Sequence, residues 1–229
     1  RHAVLQIPIP RPLGLWVMYL LVSLAPRLST PPTMAAIGPD EAVSIEAAGG
    51  PQATTYGELT SIGFRQLFGD LGESDKFVDL GSGTGKLVMQ AVRELGVDSA
   101  AGVELSPTRH GLALAQRAAC EPRVARRTTF LCGDAAGDEA ARMLETATAV
   151  WLSNLCFDER LNRRIVARLE ASPTVQRIWA LRLLPEVPRG FDIESARLAE
   201  CSWTRQASQT GLLPMPGHPC VSYIRTLRS

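Results

Sequence analysis

The feature that most constrains this chain is Asp79-Leu80-Gly81-Ser82-Gly83-Thr84-Gly85, placed between a short apolar run and a helix-like stretch. Phe77 to Leu80 reads as a buried strand. Leu87, Val88, Ala91, Val92 and Leu95 then recur on one face of a helix. A strand that ends in alternate glycines and opens a helix is the first unit of an α/β sheet. The alternation continues. Strands are expected over 101–105, 128–132, 147–153 and 177–184. Between them, Ser106-Pro107 caps a helix running to about Ala119, and Phe157, Leu161, Ile165, Val166 and Leu169 mark another. Before the first strand a helix is predicted around 59–70, with Ile62, Leu67 and Phe68 inward. After the fifth strand the alternation stops, and two β-like segments, 196–204 and 219–227, read as an antiparallel pair at the sheet edge, joined by a loop rich in Gly and Pro. The expected fold is a seven-stranded, Rossmann-like α/β sandwich, mostly parallel, with an antiparallel edge hairpin and helices on both faces. Ligands bind such sheets at the carboxyl ends of the strands.

The glycine loop can be read further. Three alternate glycines let the backbone turn tightly and approach a ligand without Cβ contacts. A dinucleotide site would carry G-x-G-x-x-G, but here Lys86 stands in the final position, and Asp79 at the strand end would repel a diphosphate. A carboxylate there suits the cationic α-amino group of S-adenosylmethionine (SAM). Glu104 ends the second strand, where an acid accepts hydrogen bonds from ribose hydroxyls, and Asp134 ends the third, within reach of an adenine amino group. The plain alternative is a glycine-rich turn with no ligand. Ser153-Asn154-Leu155-Cys156-Phe157 ends the fourth strand; Asn154 either orients an attacking amine or simply caps a helix.

Bulk properties limit the rest. With 45% hydrophobic and 21% charged residues over 229 positions, the chain is an ordinary globular protein with one full core. Its formal net charge of +1 gives no global attraction to nucleic acid. Lysine occurs only at Lys76 and Lys86, and arginine carries the other basic positions, which reads as codon bias or as contacts to an acidic partner. The five cysteines, Cys120, Cys132, Cys156, Cys201 and Cys220, are widely spaced and form neither a zinc pattern nor a disulfide framework, so no metal is expected. Leu13 to Ala25 is an apolar run flanked by Arg11 and Arg27, too short to cross a bilayer comfortably. It fits a targeting segment, a packed helix, or a mis-called start ahead of Met34. Residues 26–54 read as a flexible linker, so the expected division is 1–54 for the apolar segment and linker and 55–229 for the folded domain.

Tyr56-Gly57-Glu58 stands some 20 residues before the glycine loop. With Gly102-Val103-Glu104, Gly133-Asp134, Ser153-Asn154-Leu155-Cys156-Phe157, Ser202-Trp203-Thr204 and Val221-Ser222-Tyr223, it resembles the disruptor-of-telomeric-silencing family of non-SET histone-lysine methyltransferases over about residues 55–227. The resemblance implies a SAM-dependent lysine N-methyltransferase acting on a protein substrate, histone H3 first among them, in the nucleus and as a monomer. It implies that Tyr56, Gly57 and Glu58 cover SAM, and that Asp79, Gly81, Gly83, Thr84, Gly85, Lys86, Glu104 and Asp134 bind it. Ser153, Asn154, Phe157, Trp203 and Tyr223 are implied to line a narrow lysine channel. Animal and fungal members carry two adjacent Asn residues where this chain has Ser153-Asn154, a version more similar to divergent microbial relatives. The lysine-rich segment by which the better-known members hold nucleosomal DNA is missing, so nucleosome contact is expected to be weak. The rival readings are a methyltransferase for another protein or a small molecule, and a catalytically silent SAM-binding protein.

Overall fold

The computed structural model describes residues 37–55, 57–204 and 217–226. The Leu13–Ala25 run, Met34, Tyr56 and most of the hairpin loop lie outside the described residues.

The elements follow in order: helix α1 (Pro39–Gly49), α2 (Ser61–Phe68), β1 (Lys76–Leu80), α3 (Lys86–Gln90) continued by a π-helical turn (Ala91–Leu95), β2 (Ser99–Glu104), α4 (Pro107–Ala118), α5 (Pro122–Arg127), β3 (Thr128–Cys132), α6 (Asp138–Leu144), β4 (Ala149–Leu152), α7 (Glu159–Ala171), β5 (Arg177–Ala180), β6 (Phe191–Ala199) and β7 (His218–Arg225). The seven strands form one sheet in the order β3-β2-β1-β4-β5-β7-β6. Strands β1 to β5 pair in parallel; β7 runs antiparallel to both β5 and β6. The expected seven-stranded Rossmann-like sheet, mostly parallel with an antiparallel edge hairpin, is the observed one.

The strands are apolar on both faces because helices cover both, and alternation along each strand sorts the core into two layers. Phe77, Trp151 and Trp179 face α2 and α3, where Phe68 sits edge-on among Phe64, Phe77, Trp151 and Trp179 with ring centroids 5.1, 5.3, 5.5 and 5.2 Å away. Val78, Leu80, Val150, Leu152 and Ile178 face α6 and α7, against Leu144, Ile165, Val166 and Leu169. By the same alternation Asp79 points to the α2–α3 side, at the carboxyl end of its strand.

Several expectations shift. Ile62 is half exposed, and Phe64 takes the inward position expected of it. The reason is helix phase: Thr60 caps the helix by accepting from the Gly63 amide, so Gly63, Phe64, Leu67 and Phe68 share the inner face. Strand β5 stops at Ala180 rather than Leu184, because the backbone of Arg182 bonds to the Asn154 side chain instead of a neighbouring strand. Strand β6 begins at Phe191, directly after the positive-φ turn at Gly190, and ends at Ala199 rather than running from 196 to 204. The stretch read as a linker is helical over Pro39–Gly49, with Ile45 only 3% exposed. Helices α5 and α6 were not expected at all. None of the described helices is long and apolar enough to cross a membrane.

Candidate functional site

The sheet reverses its winding between β1 and β4, so the loops after these two strands lie side by side at the carboxyl edge. Ladder pairing sets Asp79 beside Trp151 and Leu80 beside Leu152, and the Ser153 amide donates to the Leu80 carbonyl at 3.2 Å. The glycine loop and the 153–157 segment therefore flank one cleft, open to solvent.

The loop needs its glycines. Gly81, Gly83 and Gly85 have φ of 92°, 54° and 79°, a region L side chains rarely adopt. At Gly81 a Cβ would also stand 2.9 Å from the Phe157 ring and 3.4 Å from the Ser153 Cβ. The loop is held from the next strand: the Gly81 and Ser82 amides donate to the Val103 carbonyl, and the Gly83 amide donates to Glu104 Oε2 at 2.8 Å. Glu104 Oε1 accepts from the Ser106 amide at 2.9 Å. Each carboxylate oxygen has a further lone pair for a ligand hydroxyl.

Asp79 carries the electrostatic burden of the cleft. It is 1% exposed, its Oδ1 has no hydrogen-bond partner, and Glu104 and Glu58 are near. Burial first, then repulsion from these two carboxylates, push its pKa well above the usual carboxylate range. A buried acid in this state lacks a cation. Its neighbours cannot serve, because Lys86 Nζ is paired with Glu58 Oε2 at 3.2 Å. The α-ammonium of SAM fits this requirement. Asp134, at the end of β3, accepts from the Ala136 amide at 2.8 Å and pairs with Arg164 at 2.7 Å, which fixes its carboxylate at the cleft rim.

Glu58 lies on a rib that crosses the cleft. Leu59 bridges to Cys201, the Ser202 amide donates to the Glu58 carbonyl at 2.8 Å, and Trp203 packs flat enough on Gly57 that a Cβ there would stand 2.6 Å from its ring. Gly57→Val is therefore expected to displace the rib and lower turnover by about 10–100-fold, as misplacement near an angstrom does. Steady-state kinetics on any accepted substrate checks it; unchanged turnover would show that the rib can yield.

Of the residues expected at the site, Gly57, Glu58, Asp79, Gly81, Gly83, Lys86, Glu104, Asp134, Ser153, Phe157 and Trp203 line this cleft. Thr84 stands behind the rim, its hydroxyl 3.4 Å from Glu58 Oε1. Gly85 turns the loop into α3, where a Cβ would meet the Phe130 ring at 2.5 Å. Two of the expected channel residues are not brought there. Asn154 is fully buried with its amide bonded to Asn162 and to the Arg182 backbone. Tyr223 is fully buried on β7, its hydroxyl accepting from the Leu184 amide at 3.0 Å. Both face the packed layer beneath the site. Conversely, Ile45, Ala48, Gly49, Arg109 and Leu181 line the cleft and were not singled out from sequence. Arg109 stands in the first turn of α4 and donates to the Thr54 carbonyl, tying down the turn that follows α1. Only a long-range partner reveals that role.

The comparisons with known proteins agree with this geometry. Residues 49–209 match the family described as "Histone methylation protein DOT1". The chain belongs to the DOT1 family. It is a methyltransferase. No curated protein matches the sequence. Among solved structures, the chain is similar in fold to TrmN from Thermus thermophilus (19% identity, TM-score 0.51, 72% of this chain on 47% of that one). It is similar to a putative tRNA (m1A22) methyltransferase, Sp1610, from Streptococcus pneumoniae (13% identity, TM-score 0.51, 75% on 72%). It is also similar to the glycopeptide N-methyltransferase MtfA, solved with sinefungin (16% identity, TM-score 0.52, 72% on 85%). The matched part thus spans about half of the Thermus protein. Among the described residues, no group of three or more His, Cys, Asp or Glu side chains could hold a metal ion.

Proposed function

We propose that this DOT1-family chain transfers a methyl group from SAM to a lysine amine on a protein, with a histone H3 lysine as the first candidate and the nucleus as its place of action. The observation that carries the reading is the buried carboxylate of Asp79, whose Oδ1 has no hydrogen-bond partner, set between the glycine loop and an aromatic-walled opening.

SAM supplies an electrophilic methyl group on a sulfonium. The chain's own residues bind and aim. Asp79 receives the ammonium, Glu104 the ribose hydroxyls, and Asp134, oriented by Arg164, the adenine amino group. Glu58 and Lys86 close the rim, and the family resemblance gives Tyr56 a part in covering SAM. On the acceptor side, Ser153, Phe157 and Trp203 meet Leu181 and Leu155 in the cleft wall. Aromatic and aliphatic walls suit the stem of a lysine and exclude water, which favours the neutral amine needed for direct displacement. Desolvation by these walls supplies that neutral form. Asn154 and Tyr223 act on this wall from behind.

A non-histone protein or a small molecule as acceptor is the second reading, favoured by the net charge of +1 and by Ser153 in place of the asparagine of animal and fungal relatives. Radiolabelled SAM, offered with nucleosomes, free histones and total lysate, separates the two. Label on protein lysine, lost in Gly83→Arg, is the expected result. Label confined to small molecules, RNA or arginine would refute the lysine reading and leave the donor site standing.

A further inference from the structure

Helix α1 precedes nearly all of the family-matched segment, which begins at residue 49. Yet it is seated on the cleft at both ends. At its start, Glu41 accepts from the Ser106 hydroxyl, the Thr108 hydroxyl and the Thr108 amide, at 3.1 Å for the last. Those donors cap α4, two and four residues beyond Glu104. At its end, the Gly49 carbonyl accepts from the Asp158 amide at 3.0 Å, and Gly50 lies so close that a Cβ would stand 2.7 Å from the Asp158 Cβ. Asp158 in turn caps α7 through the Leu161 amide. Helix α1 thus bridges the N-termini of the helices that follow β2 and β4, and between these anchors Ile45, Ala48 and Gly49 line the cleft.

We propose that helix α1 is part of the methyl-donor site: Ile45, Ala48 and Gly49 cover the adenosine half of the donor, and Glu41 is the positioning residue that latches the helix over it. The inference rests on the SAM reading above. Its chemistry is complementary. A nucleoside presents an apolar face as well as hydroxyls, and the acids Glu104 and Asp134 take the polar edges while the small and aliphatic residues of α1 supply the opposite face. Ala48 is a small side chain at the cleft, and Gly49 lies so close to its neighbour that a Cβ there would stand 2.8 Å from the Ala53 Cβ. The latch is made of a charged acceptor and three donors of one helix terminus. Glu41 is drawn below the usual glutamate range, burial opposing and the Ser106, Thr108 and Arg109 contacts prevailing.

Hydrogen exchange on the full chain, with and without saturating S-adenosylhomocysteine, tests the placement. Amides of 42–49 are expected to slow by about tenfold or more, together with those of 81–86. Protection of 81–86 without protection of 42–49 would overturn the proposal and leave the donor site intact. Protection of neither would overturn both. The latch is tested by Glu41→Gln, with Asp40→Asn on the same helix as control. Glu41→Gln is expected to speed S-adenosylhomocysteine dissociation by about tenfold, with the association rate changed less. An unchanged dissociation rate would show that Glu41 does not hold the helix over the ligand.

Discussion

Replacing Asp79 with Asn is expected to make the donor-free protein more stable and to weaken SAM binding by about 10²–10³-fold, the loss usual when one partner of a buried charge pair is removed. The two effects have one cause. Asp79 is 1% exposed, with one oxygen unpartnered and two other carboxylates nearby. Its folded-state pKa lies above its unfolded value of about 3.8. A carboxyl shifted this way opposes folding at every pH above the unfolded pKa, and the penalty grows until the pH passes the folded pKa. The donor-free protein should therefore gain stability as the pH is lowered from neutral toward the usual carboxylate range, and Asn, of nearly the same volume, should remove that dependence. When the ammonium binds, Asp79 must be ionised, so binding should release protons, and affinity should rise with pH across the donor-free pKa of Asp79. Thermal denaturation at several pH values reads the first effect. Calorimetric titration in two buffers of different ionisation enthalpy reads the second. An Asp79→Asn protein that binds SAM as tightly as the parent would remove Asp79 from the donor site.

What the sequence disclosed followed from whether the signal was local. The glycine loop was legible because positive φ at three alternate positions leaves almost no choice but glycine, and the strands because a sheet covered on both faces needs short apolar runs. Helix α1 was not legible. Its composition is that of a linker, and its anchors are Ser106 and Thr108, some 65 residues away, and Asp158, more than 100 away. Phe157 and Trp203 reach the cleft because glycines, Gly81 and Gly57, meet their rings and leave them room. Asn154 and Tyr223 had the correct strand-end addresses, but an address does not say which way a side chain turns. Tyr223 pairs with Ile178 and Ile193 on the core face of β7, so strand alternation sends its ring inward to the packed layer.

Asn154 turns inward for a reason that predicts its mutant. Its Nδ2 donates to Asn162 Oδ1 at 2.9 Å and to the Arg182 carbonyl at 3.0 Å, while its Oδ1 accepts from the Arg182 amide at 2.9 Å. Asn162 then donates to the Phe157 and Asp158 carbonyls at 3.1 and 2.8 Å. One buried amide thus joins the end of β5 to the 153–158 turn, which carries Ser153 and Phe157 into the cleft and Asp158 against Gly49. Asn154→Ala leaves the Arg182 amide and carbonyl and the Asn162 amide oxygen without partners, at about 1–3 kcal/mol each. A loss of roughly 3–9 kcal/mol lowers the melting temperature by roughly 6 °C or more in a chain of this size. Turnover should fall with it, because the turn that aims the acceptor loosens, while SAM affinity changes less, since Asp79 and the glycine loop are held by β1 and β2. Asn154→Asp sharpens the distinction. It preserves the acceptor facing the Arg182 amide but sets a carboxylate oxygen against the Arg182 carbonyl, so it should destabilise at least as much as the alanine. A group that merely oriented the incoming amine would behave otherwise: turnover would drop at an unchanged melting temperature, and that result would return Asn154 to the channel wall.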